Sequence, residues 1–464
     1  MTSSTLSMEA APRKRFQPFS REAIQFALIV GLLPNLFFLV AMPFYIAERL
    51  LAPLLFLVAG LLAFVVPRWA IYLLFLVAAF VDLGLIIATA FHLPVGTALK
   101  SMRYMASIDV GASSFYLAVV TIMIGTALAT AWLMARNRAR LRNVSPVPAT
   151  IAALLLMLLD LSANFPFVEG RSDGLPFDSA ISRTGLTADR VAANGNNLLV
   201  VLVEGMGAFA DPADRGLITR SLRLAANRSG YRFETGTTHY SGSTTGGESR
   251  ELCGRWGDYV DYLPKGDYDC LPRRLARKGY QSIAYHGFVP SMFSRDHWYP
   301  QIGFARLNFK KDILRDHGRL TPSSCGSVFL GLCDNEVASV VRRELTAPSR
   351  QPKFVYWLTL NSHVPFVPKT RGGLGCSGAR PRIDNRTVCQ LGEYWVEVME
   401  QVAAIASDPA LPPTDILIVG DHHTPLWERA AKNKFLLGKV DWFLLRHQRP
   451  VQRINAGNSA DRDR

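Results

Sequence analysis

The chain has 464 residues, 49% of them hydrophobic, and its formal net charge is +14. Its length predicts two or three domains, and its composition changes sharply near residue 167. Much of the basic excess lies beside apolar segments, where basic residues set membrane topology and meet anionic lipid. No repeat of aromatic and basic residues is found in the sequence, so we exclude nucleic acid as the expected partner.

Apolar segments in the first third predict a five-helix transmembrane domain over residues 1–166, with spans at 23–44, 49–66, 69–92, 115–134 and 148–165. Each is close to the ~20 residues that cross a hydrocarbon core. Basic residues predict a cytoplasmic N-terminus and two cytoplasmic loops: Arg13, Lys14, Arg15, Arg21, Arg68, Arg136, Arg138, Arg140 and Arg142. Lys100 and Arg103 lie in an outward loop and oppose this orientation more weakly. The chain after the last span is therefore expected outside the cytoplasm.

Two carboxylates, Asp82 and Asp160, lie inside predicted spans, where an unpaired charge is costly. A catalytic role is one explanation for them. We favour pairing between helices, or with an arginine near the lipid headgroups.

All six cysteines follow the last span, which agrees with an oxidising compartment. Their proximity in sequence favours three disulfides out of 15 possible sets of pairs: Cys253–Cys270, Cys325–Cys333 and Cys376–Cys389. A zinc cluster is the alternative, but no pair has the spacing usual for structural zinc. Together with the spans, the cysteines predict a multi-pass membrane protein whose C-terminal domain lies in an oxidising compartment outside the cytoplasm, which in a bacterium is the periplasm outside the inner membrane.

From residue 197 onward, apolar strands alternate with helical patterns, which predicts an α/β domain with a mostly parallel sheet over 197–450. Residues 167–196 are expected to form a juxtamembrane connector and 451–464 a disordered tail. Strands are predicted at 198–203, 281–285, 354–360, 415–419 and 440–445. Helices are predicted at 216–227, 271–278, 334–346 and 391–407.

Residues suited to metal binding follow two of these strands. Glu204 follows the first, and Asp421 and His422 follow the strand at 415–419, so the carboxyl edge of the sheet would bring them together. Two carboxylates and an imidazole suit one divalent ion, zinc or manganese. Thr244 would complete the set and, with its proton loosened by the metal, act as the nucleophile. Each residue alone also has an ordinary structural explanation, as a cap, a loop residue or a turn.

The order Glu204, Thr244, His363, Asp421-His422 resembles the alkaline phosphatase and sulfatase superfamily, in its membrane-anchored branch of lipoteichoic acid synthases and phosphoglycerol and phosphoethanolamine transferases. The block from Leu271-Pro272 to Gly303-Phe304 looks like the central signature of that branch. The resemblance implies a sulfatase-like fold and a phosphothreonine intermediate on Thr244. It favours Thr244 over Thr245 because Thr244 lies nine residues before Cys253-Gly254.

The same resemblance assigns further roles. His363, in Asn361-Ser362-His363-Val364-Pro365, would bind phosphoryl oxygens or assist proton transfer. His286 and Arg295 match residues that contact the substrate headgroup. Phe293 stands where the lipoteichoic acid synthases have a tryptophan, which leaves the headgroup open. His423 is expected to face away from the metal.

The resemblance implies a transferase that moves a phosphorylated headgroup, phosphoglycerol in preference to phosphoethanolamine, from a membrane phospholipid to a glycan or glycolipid. A phosphodiester or sulfate-ester hydrolase and a non-catalytic sensor or scaffold are the alternatives. Cys270-Leu271-Pro272-Arg273-Arg274 fits the motif by which sulfatases acquire formylglycine. In sulfatases that nucleophile stands at the place that Thr244 occupies here, whereas Cys270 begins the central helix and is expected to pair with Cys253, which argues against that role. The oligomeric state is left open.

Overall fold

A computed structural model describes residues 17–90, 96, 100–168, 175–316, 324–370 and 372–448. The described residues divide into two compact units. The first, here called the membrane unit, comprises 1–90 and 114–166; the second, the catalytic unit, comprises 91–113 and 167–464. The tail expected to be disordered, 451–464, lies outside the described residues.

Among the described residues of the membrane unit, four helices are long and apolar enough to cross a membrane: Arg21–Ala41, Arg68–Ala90, Ser114–Leu141 and Val147–Phe165. The second predicted span, 49–66, contains instead a helix of 11 residues, Ala52–Leu62, so the prediction of five membrane-length helices is not confirmed. Small residues such as Ala59, Ala127 and Ala131 are buried between these helices. Close approach of apolar helices over small residues is usual in membranes.

The intramembrane carboxylates pair with an arginine, as expected. Arg49 donates from Nε to Asp82 Oδ2 at 3.0 Å and from Nη2 to the same oxygen at 2.5 Å. Its backbone amide donates to Asp160 Oδ2 at 3.2 Å, and Nη1 donates to Asn35 Oδ1 at 3.0 Å. Asn164 Nδ2 also donates to Asp160 Oδ1, at 3.1 Å. The cluster thus connects three helices and the irregular segment that contains Arg49.

The catalytic unit is built on a mixed sheet in the strand order β2-β10-β9-β1-β8-β4-β5, with β3 paired to β10. β1 is parallel to β8 and β9, and β4 is parallel to β8 and β5. β10 is antiparallel to β9, β2 and β3. The mostly parallel sheet expected from the alternation of strands and helices is therefore present. The strands are β1 Asn197–Val203, β2 Gly207–Phe209, β3 Tyr231–His239, β4 Gln281–His286, β5 Arg306–Asn308, β6 Ser324–Cys325, β7 Gly331–Leu332, β8 Lys353–Leu358, β9 Thr414–Gly420 and β10 Phe435–His447.

Both faces of this sheet are buried. Successive residues of β1 point to opposite sides of the sheet, so its apolar side chains need cover on each face. Leu199, Val201 and Val203 face one buried cluster, and Leu198, Val200 and Leu202 face another. Strands buried on both faces read as continuous apolar runs, which is why β1 and β9 are evident in the sequence. The helices of the unit are Ala180–Thr184, Ala188–Asn194, Pro212–Ile218, Arg220–Arg228, Thr244–Cys253, Leu271–Arg277, Arg295–Ile302, Lys310–Asp316, Asp334–Thr346, Arg386–Ala406 and Arg429–Lys432.

The connector predicted over 167–196 differs in its described part. It contains two short helices, Ala180–Thr184 and Ala188–Asn194, whose apolar residues Ile181, Leu186 and Val191 join the core of the catalytic unit. Glu251 accepts hydrogen bonds from the amides of Ala180 and Ile181 at 3.1 and 3.0 Å. These residues are thus part of the folded unit, not a separate linker.

The three disulfides pair as sequence proximity predicted: Cys253–Cys270, Cys325–Cys333 and Cys376–Cys389. The described residues contain no free cysteine, so the structure leaves no thiols for the alternative zinc cluster. Cys253 ends the helix that begins at Thr244, and Cys270 immediately precedes the helix Leu271–Arg277. The first disulfide therefore ties two helices together end to end.

Candidate active site

The site lies where the parallel strands end. Val203 of β1 pairs with Gly420 of β9, so the residues that follow, Glu204 and Asp421, emerge side by side. His286 ends β4, opposite Leu358 at the end of β8. Ligand sites of such sheets form outside the carboxyl ends of the strands. The sequence predicted that Glu204, His286 and Asp421 would meet at the carboxyl edge of the sheet, and the structure places them there.

Glu204, Asp421 and His422 form a buried cluster whose ligand atoms lie within 4.8 Å of one another. His422 Nε2 is 3.3 Å from Glu204 Oε1 and 3.3 Å from Asp421 Oδ2. Asp421 Oδ1 is occupied, since it accepts from the amides of Gly205 at 2.7 Å and His422 at 2.6 Å. Glu204 Oε1 and Asp421 Oδ2 are buried and receive no hydrogen bond from the described residues.

This donor set fits a divalent metal ion. His422 Nδ1 lies 2.7 Å from the carbonyl of His423, a contact that places the proton of a neutral imidazole on Nδ1 and a lone pair on Nε2. That lone pair and two carboxylate oxygens then face one another, an arrangement that a cation satisfies. One nitrogen and two oxygens suit zinc or manganese, and the remaining positions would be open to a hydroxyl or a substrate oxygen.

The pKa values of the cluster reflect the same demand for positive charge. Burial and the charge of Glu204 raise the pKa of Asp421 to about 8. Burial disfavours the charged form of His422, but Asp421 and Glu204 outweigh it and raise the pKa of His422 to about 9. Burial also opposes ionisation of Glu204, yet His363 and His422 lower its pKa to about 2. The protein alone holds protons here that a divalent cation would displace.

Thr244 faces this cluster and Thr245 does not. Thr244 Oγ1 donates to Glu204 Oε2 at 3.2 Å. Thr245 Oγ1 donates instead to Asp258 Oδ1 at 2.7 Å and is buried. Thr244 is the first residue of its helix, and Ser243 caps it by accepting from the amide of Gly246 at 3.1 Å. The structure therefore brings Thr244 to the predicted metal ligands, at the amino end of a helix, where anionic groups are stabilised.

Gly247 allows this helix to approach the cluster. A Cβ atom at Gly247 would lie 2.3 Å from the carbonyl oxygen of Asp421. Arg250, one turn further on and fully buried, donates to the carbonyls of Gly420 at 2.8 Å and Asp421 at 3.3 Å. The helix that carries the hydroxyl and the strand end that carries two ligands are thus in direct backbone contact.

His363 lies at the rim of the cluster. Its Nε2 is 3.8 Å from Glu204 Oε1, and its Nδ1 is 2.8 Å from the carbonyl of Val364. Burial lowers the pKa of His363 below its ordinary value, so the imidazole is neutral near pH 7. The backbone just before His363 is held in place by Asp334, which accepts hydrogen bonds from the amides of Leu360 at 3.0 Å and Asn361 at 2.9 Å.

The residues predicted to contact the headgroup lie at the end of β4 and beyond it. His286 is buried, and its Nδ1 is 3.1 Å from the carbonyl of Leu358. Burial and the charge of Arg295 lower the pKa of His286 to about 3. Phe293 has φ 54°, and the Arg295 guanidinium lies 5.4 Å from its ring centroid. Phe293 and Arg295 thus meet at one turn, and His286, at the end of β4, lies within reach of the charge of Arg295.

Arg295 is not a free cation, a feature that sequence reasoning missed. Glu248 accepts from its Nε at 3.1 Å and its Nη2 at 2.9 Å, and both side chains are fully buried or nearly so. Glu248 also accepts from the hydroxyls of Tyr299 and Tyr356. Glu248 lies one helical turn after Thr244, so a helix beginning at Thr244 would have placed it on the same face. Its partners come from β8 and from the helix Arg295–Ile302, which no local pattern predicts.

His423 is buried, and its carbonyl holds Nδ1 of His422, so it supports a ligand through its backbone. Cys270 is occupied by its disulfide with Cys253. The motif that suggested a formylglycine precursor therefore has no free thiol, whereas the hydroxyl next to Glu204 belongs to Thr244.

The fold and the cluster define an α/β protein with a candidate divalent-metal site beside a threonine hydroxyl at the carboxyl edge of its sheet. The sequence model of the sulfatase family matches residues 196–440, more than half of the chain. The chain belongs to the sulfatase family of the alkaline phosphatase superfamily, which confirms the resemblance read from its motifs.

Several solved structures are similar to the chain at low identity. The lipoteichoic acid synthase LtaP from Listeria monocytogenes is 16% identical, with a TM-score of 0.40, over 55% of this chain and 66% of that one. The phosphoglycerol transferase GacH from Streptococcus pyogenes is 16% identical, with a TM-score of 0.39, over 57% of this chain and 72% of that one. The lipooligosaccharide phosphoethanolamine transferase EptA from Neisseria meningitidis is 13% identical, with a TM-score of 0.44, over 92% of this chain and 89% of that one.

The match spans less than two thirds of LtaP. No curated protein sequence matches the chain. These likenesses concern the fold, and what the chain acts on is inferred below from its own residues.

Proposed function

We propose that the chain is a metal-dependent transferase that moves a phosphorylated headgroup from a membrane phospholipid to an envelope glycan or glycolipid through a phosphothreonine. The observation that carries the proposal is the contact of Thr244 Oγ1 with Glu204 Oε2 at 3.2 Å, inside the cluster of Glu204, Asp421 and His422. A nucleophile type and a set of metal ligands thus meet at one point. The same chain carries four helices of membrane length, which suits a substrate that is itself a lipid.

Glu204, Asp421 and His422 would hold the metal, which when bound lowers the pKa of a neighbouring hydroxyl and neutralises charge on phosphoryl oxygens. Thr244 attacks phosphorus, the bond to diacylglycerol breaks, and the headgroup phosphate stays on Oγ1. An acceptor hydroxyl then displaces the phosphate from Thr244. Thr244 lies at the amino end of its own helix, where the glycines at 246 and 247 let backbone amides approach the anionic group.

His363 suits the transfer of protons in both steps. Its Nδ1 proton is held by the carbonyl of Val364, so Nε2 of the neutral ring carries a lone pair. Nε2 takes the proton of the attacking hydroxyl, and the imidazolium returns it to the leaving oxygen. Each half of the reaction therefore begins and ends with a neutral His363.

We propose phosphoglycerol as the first choice of headgroup, with phosphoethanolamine as the alternative. Glu248 cancels the charge of Arg295, and the low pKa of His286 keeps that ring neutral. The Arg295–Glu248 pair and the neutral ring of His286 thus add no net charge beside Phe293, which suits the uncharged diol of a glycerol headgroup. The paired disulfides support a periplasmic catalytic unit, because such bonds persist in oxidising compartments.

The test is to trap the intermediate. Purified protein in detergent, loaded with zinc or manganese, is incubated with phosphatidylglycerol or phosphatidylethanolamine labelled in the headgroup, quenched with acid and mapped by mass spectrometry. We expect the headgroup mass on Thr244, more from phosphatidylglycerol. Thr244→Ala should lose the adduct, and Thr245→Ser, which keeps the hydroxyl that bonds Asp258, should retain it.

The absence of an adduct from metal-loaded protein with both lipids would refute the transferase. Release of the headgroup into water at an unchanged rate with or without an acceptor would instead identify a phosphodiester hydrolase.

A further inference from the structure

Residues 100–113, which the structure describes between the helices Arg68–Ala90 and Ser114–Leu141, belong to the catalytic unit. The amide of Asp109 donates to the carbonyl of Val328 at 2.9 Å. Ile108 packs against the buried cluster that includes Trp298 and Tyr299. A segment encoded among the membrane helices is thus built into the unit that carries the candidate active site.

Tyr104 is buried where this loop meets the catalytic core, with 7% of its surface exposed. Its hydroxyl is 2.8 Å from Ser294 Oγ. Its ring contacts the ring of Phe293 edge-on, with centroids 5.3 Å apart, and that of Tyr259 at 6.1 Å. Arg103 Nη2 also donates to the Tyr104 oxygen, at 2.8 Å. Arg103 therefore has a local role that explains a basic residue in a loop predicted to face outward.

Phe293 and Ser294 form a strained turn. Their φ values are 54° and 52°, and among the described residues they are the non-glycine positions with positive φ. Two successive side chains in the left-handed region are costly, and such turns persist where the surroundings hold them in place. Here the surroundings are the hydroxyl of Tyr104 on Ser294 and the rings of Tyr104 and Tyr259 on Phe293.

The turn leads directly into Arg295, whose guanidinium lies against the Phe293 ring and is fixed by Glu248. One end of the turn is therefore fixed by the helix that carries Thr244. The other end is fixed by Tyr104, which lies far away in the sequence. A change at Tyr104 would release the turn without touching the metal ligands.

We propose that Tyr104 is a positioning residue for headgroup recognition: it holds the Phe293–Ser294 turn, and with it Phe293 and Arg295, in the geometry that accepts the headgroup of the phosphodiester lipid donor. This inference rests on the proposed function. It assigns donor selectivity partly to the loop between two membrane helices, and it predicts an effect on donor binding without an effect on the nucleophile.

The experiment measures headgroup transfer by the full-length, metal-loaded protein against donor concentration for Tyr104→Phe, Ser294→Ala and the double variant. We expect each single variant to raise KM for the donor about threefold to tenfold, the range of one ordinary hydrogen bond. The double variant should match the single ones, because all three break the same bond. The Thr244 adduct formed at saturating donor should stay at the wild-type level.

Tyr280→Phe is the matched control. It removes a buried hydroxyl that bonds the carbonyls of Val191 and Asn196 at 3.1 and 2.9 Å, beside the amino end of β4, away from the active-site edge. Its KM for the donor should equal that of the wild type.

Several results would overturn the inference: a wild-type KM in Tyr104→Phe, multiplying effects in the double variant, or equal losses in kcat and adduct. If the wild type itself forms no Thr244 adduct, the proposed function fails first, so the two failures are distinguishable.

Discussion

The three residues of the candidate metal cluster are each held by hydrogen bonds to neighbouring groups. His422 is held through Nδ1 by a carbonyl, and Asp421 is held through Oδ1 by two amides. The backbone of Glu204 is held by Thr359 Oγ1 on its amide at 3.0 Å and by Ser362 Oγ on its carbonyl at 2.6 Å. Such outer contacts fix the ligand orientation and its tautomer, and their loss weakens metal sites.

Gly247→Ala should separate the Thr244 helix from the cluster. The new Cβ atom would lie 2.3 Å from the carbonyl oxygen of Asp421, so either the helix that begins at Thr244 or the segment that follows β9 must shift. We expect a loss of about 1–3 kcal/mol in stability, typical of overpacking, and at least a tenfold loss of Thr244 adduct, measured by mass spectrometry. Gly216→Ala, in a helix where a Cβ meets nothing within 4 Å, is the control. Equal adduct in the two variants would contradict the close contact.

Asp334 makes the stability of the catalytic unit depend on pH. Burial raises the pKa of Asp334 to about 7. Hydrogen bonds from the amides of Asn361 and Leu360 lower this pKa, the charge of Glu397 raises it further, and the charge of Lys369 lowers it. Between its ordinary pKa of about 4 and about 7, the folded protein keeps a proton that the unfolded chain has lost. Stability from this group is therefore present at low pH and is lost as the pH rises through that window.

The measurement compares the thermal unfolding midpoints of wild type and Asp334→Asn in detergent from pH 5 to 8. The stability of the wild type relative to the variant should fall with pH, by at most about 1.4 kcal/mol per pH unit, and level off above about pH 7. A difference independent of pH would contradict the raised pKa.

At the scale of elements, the strands that are buried along their whole length could be predicted from the sequence. β1, β4, β8 and β9 are buried along nearly their whole length, and all four were predicted. β3 was missed because it pairs only at the antiparallel side of the sheet and most of its residues stay partly exposed. The predicted helix 216–227 is two helices, Pro212–Ile218 and Arg220–Arg228, joined at Thr219.

The helix that carries Thr244 was also missed at its start, although its ligand chemistry was predicted. Thr-Thr-Gly-Gly has low helix propensity, so the segment reads as a loop. Ser243 caps it, and Gly254 ends it in the left-handed conformation with φ 64°. The Glu248–Arg295 pair could not be predicted because it joins residues 47 positions apart through tertiary packing.

The ion cluster of the membrane unit should be required for its stability. Arg49→Ala would leave Asp82 buried without its cation, and breaking a buried ion pair costs about 3–5 kcal/mol, whereas the backbone amide of residue 49 would still donate to Asp160. Arg49→Lys should restore part of this stability. The control is Arg140→Ala, which loses an exposed pair with Glu22. Unfolding in detergent, followed by intrinsic fluorescence, measures the order of the variants, and equal stability of the two alanine variants would contradict a structural role for the cluster.

At the scale of the whole molecule, the contacts of Arg49 bear on the number of crossings. Asp82 lies 14 residues into the helix Arg68–Ala90, a rise of about 21 Å at 1.5 Å per residue. The chain from Arg49 to Arg68 covers that distance, partly as the 11-residue helix Ala52–Leu62. We therefore still expect five crossings, with the two ends of the chain on opposite sides.

Reporter fusions test this topology. A fluorescent protein that folds only in the cytoplasm should fluoresce at the N-terminus and stay dark after residue 448, and a periplasm-dependent phosphatase should show the reverse pattern. The mixed conformation of 42–66 is the reason for the test, since length and composition alone identify four membrane-length helices. Equal signals at both ends would refute five crossings.

The tie between Cys253 and Cys270 has a consequence for the life of the protein. It fastens the far end of the Thr244 helix to the next helix, so a newly made chain with reduced thiols lacks one of the constraints that place its hydroxyl beside Glu204. With the catalytic unit in the periplasm, as proposed, this bond would form only after export. The active site would therefore be completed only after the catalytic unit has crossed the membrane. Under the proposed function, the enzyme would then not act on phospholipids of the cytoplasmic leaflet.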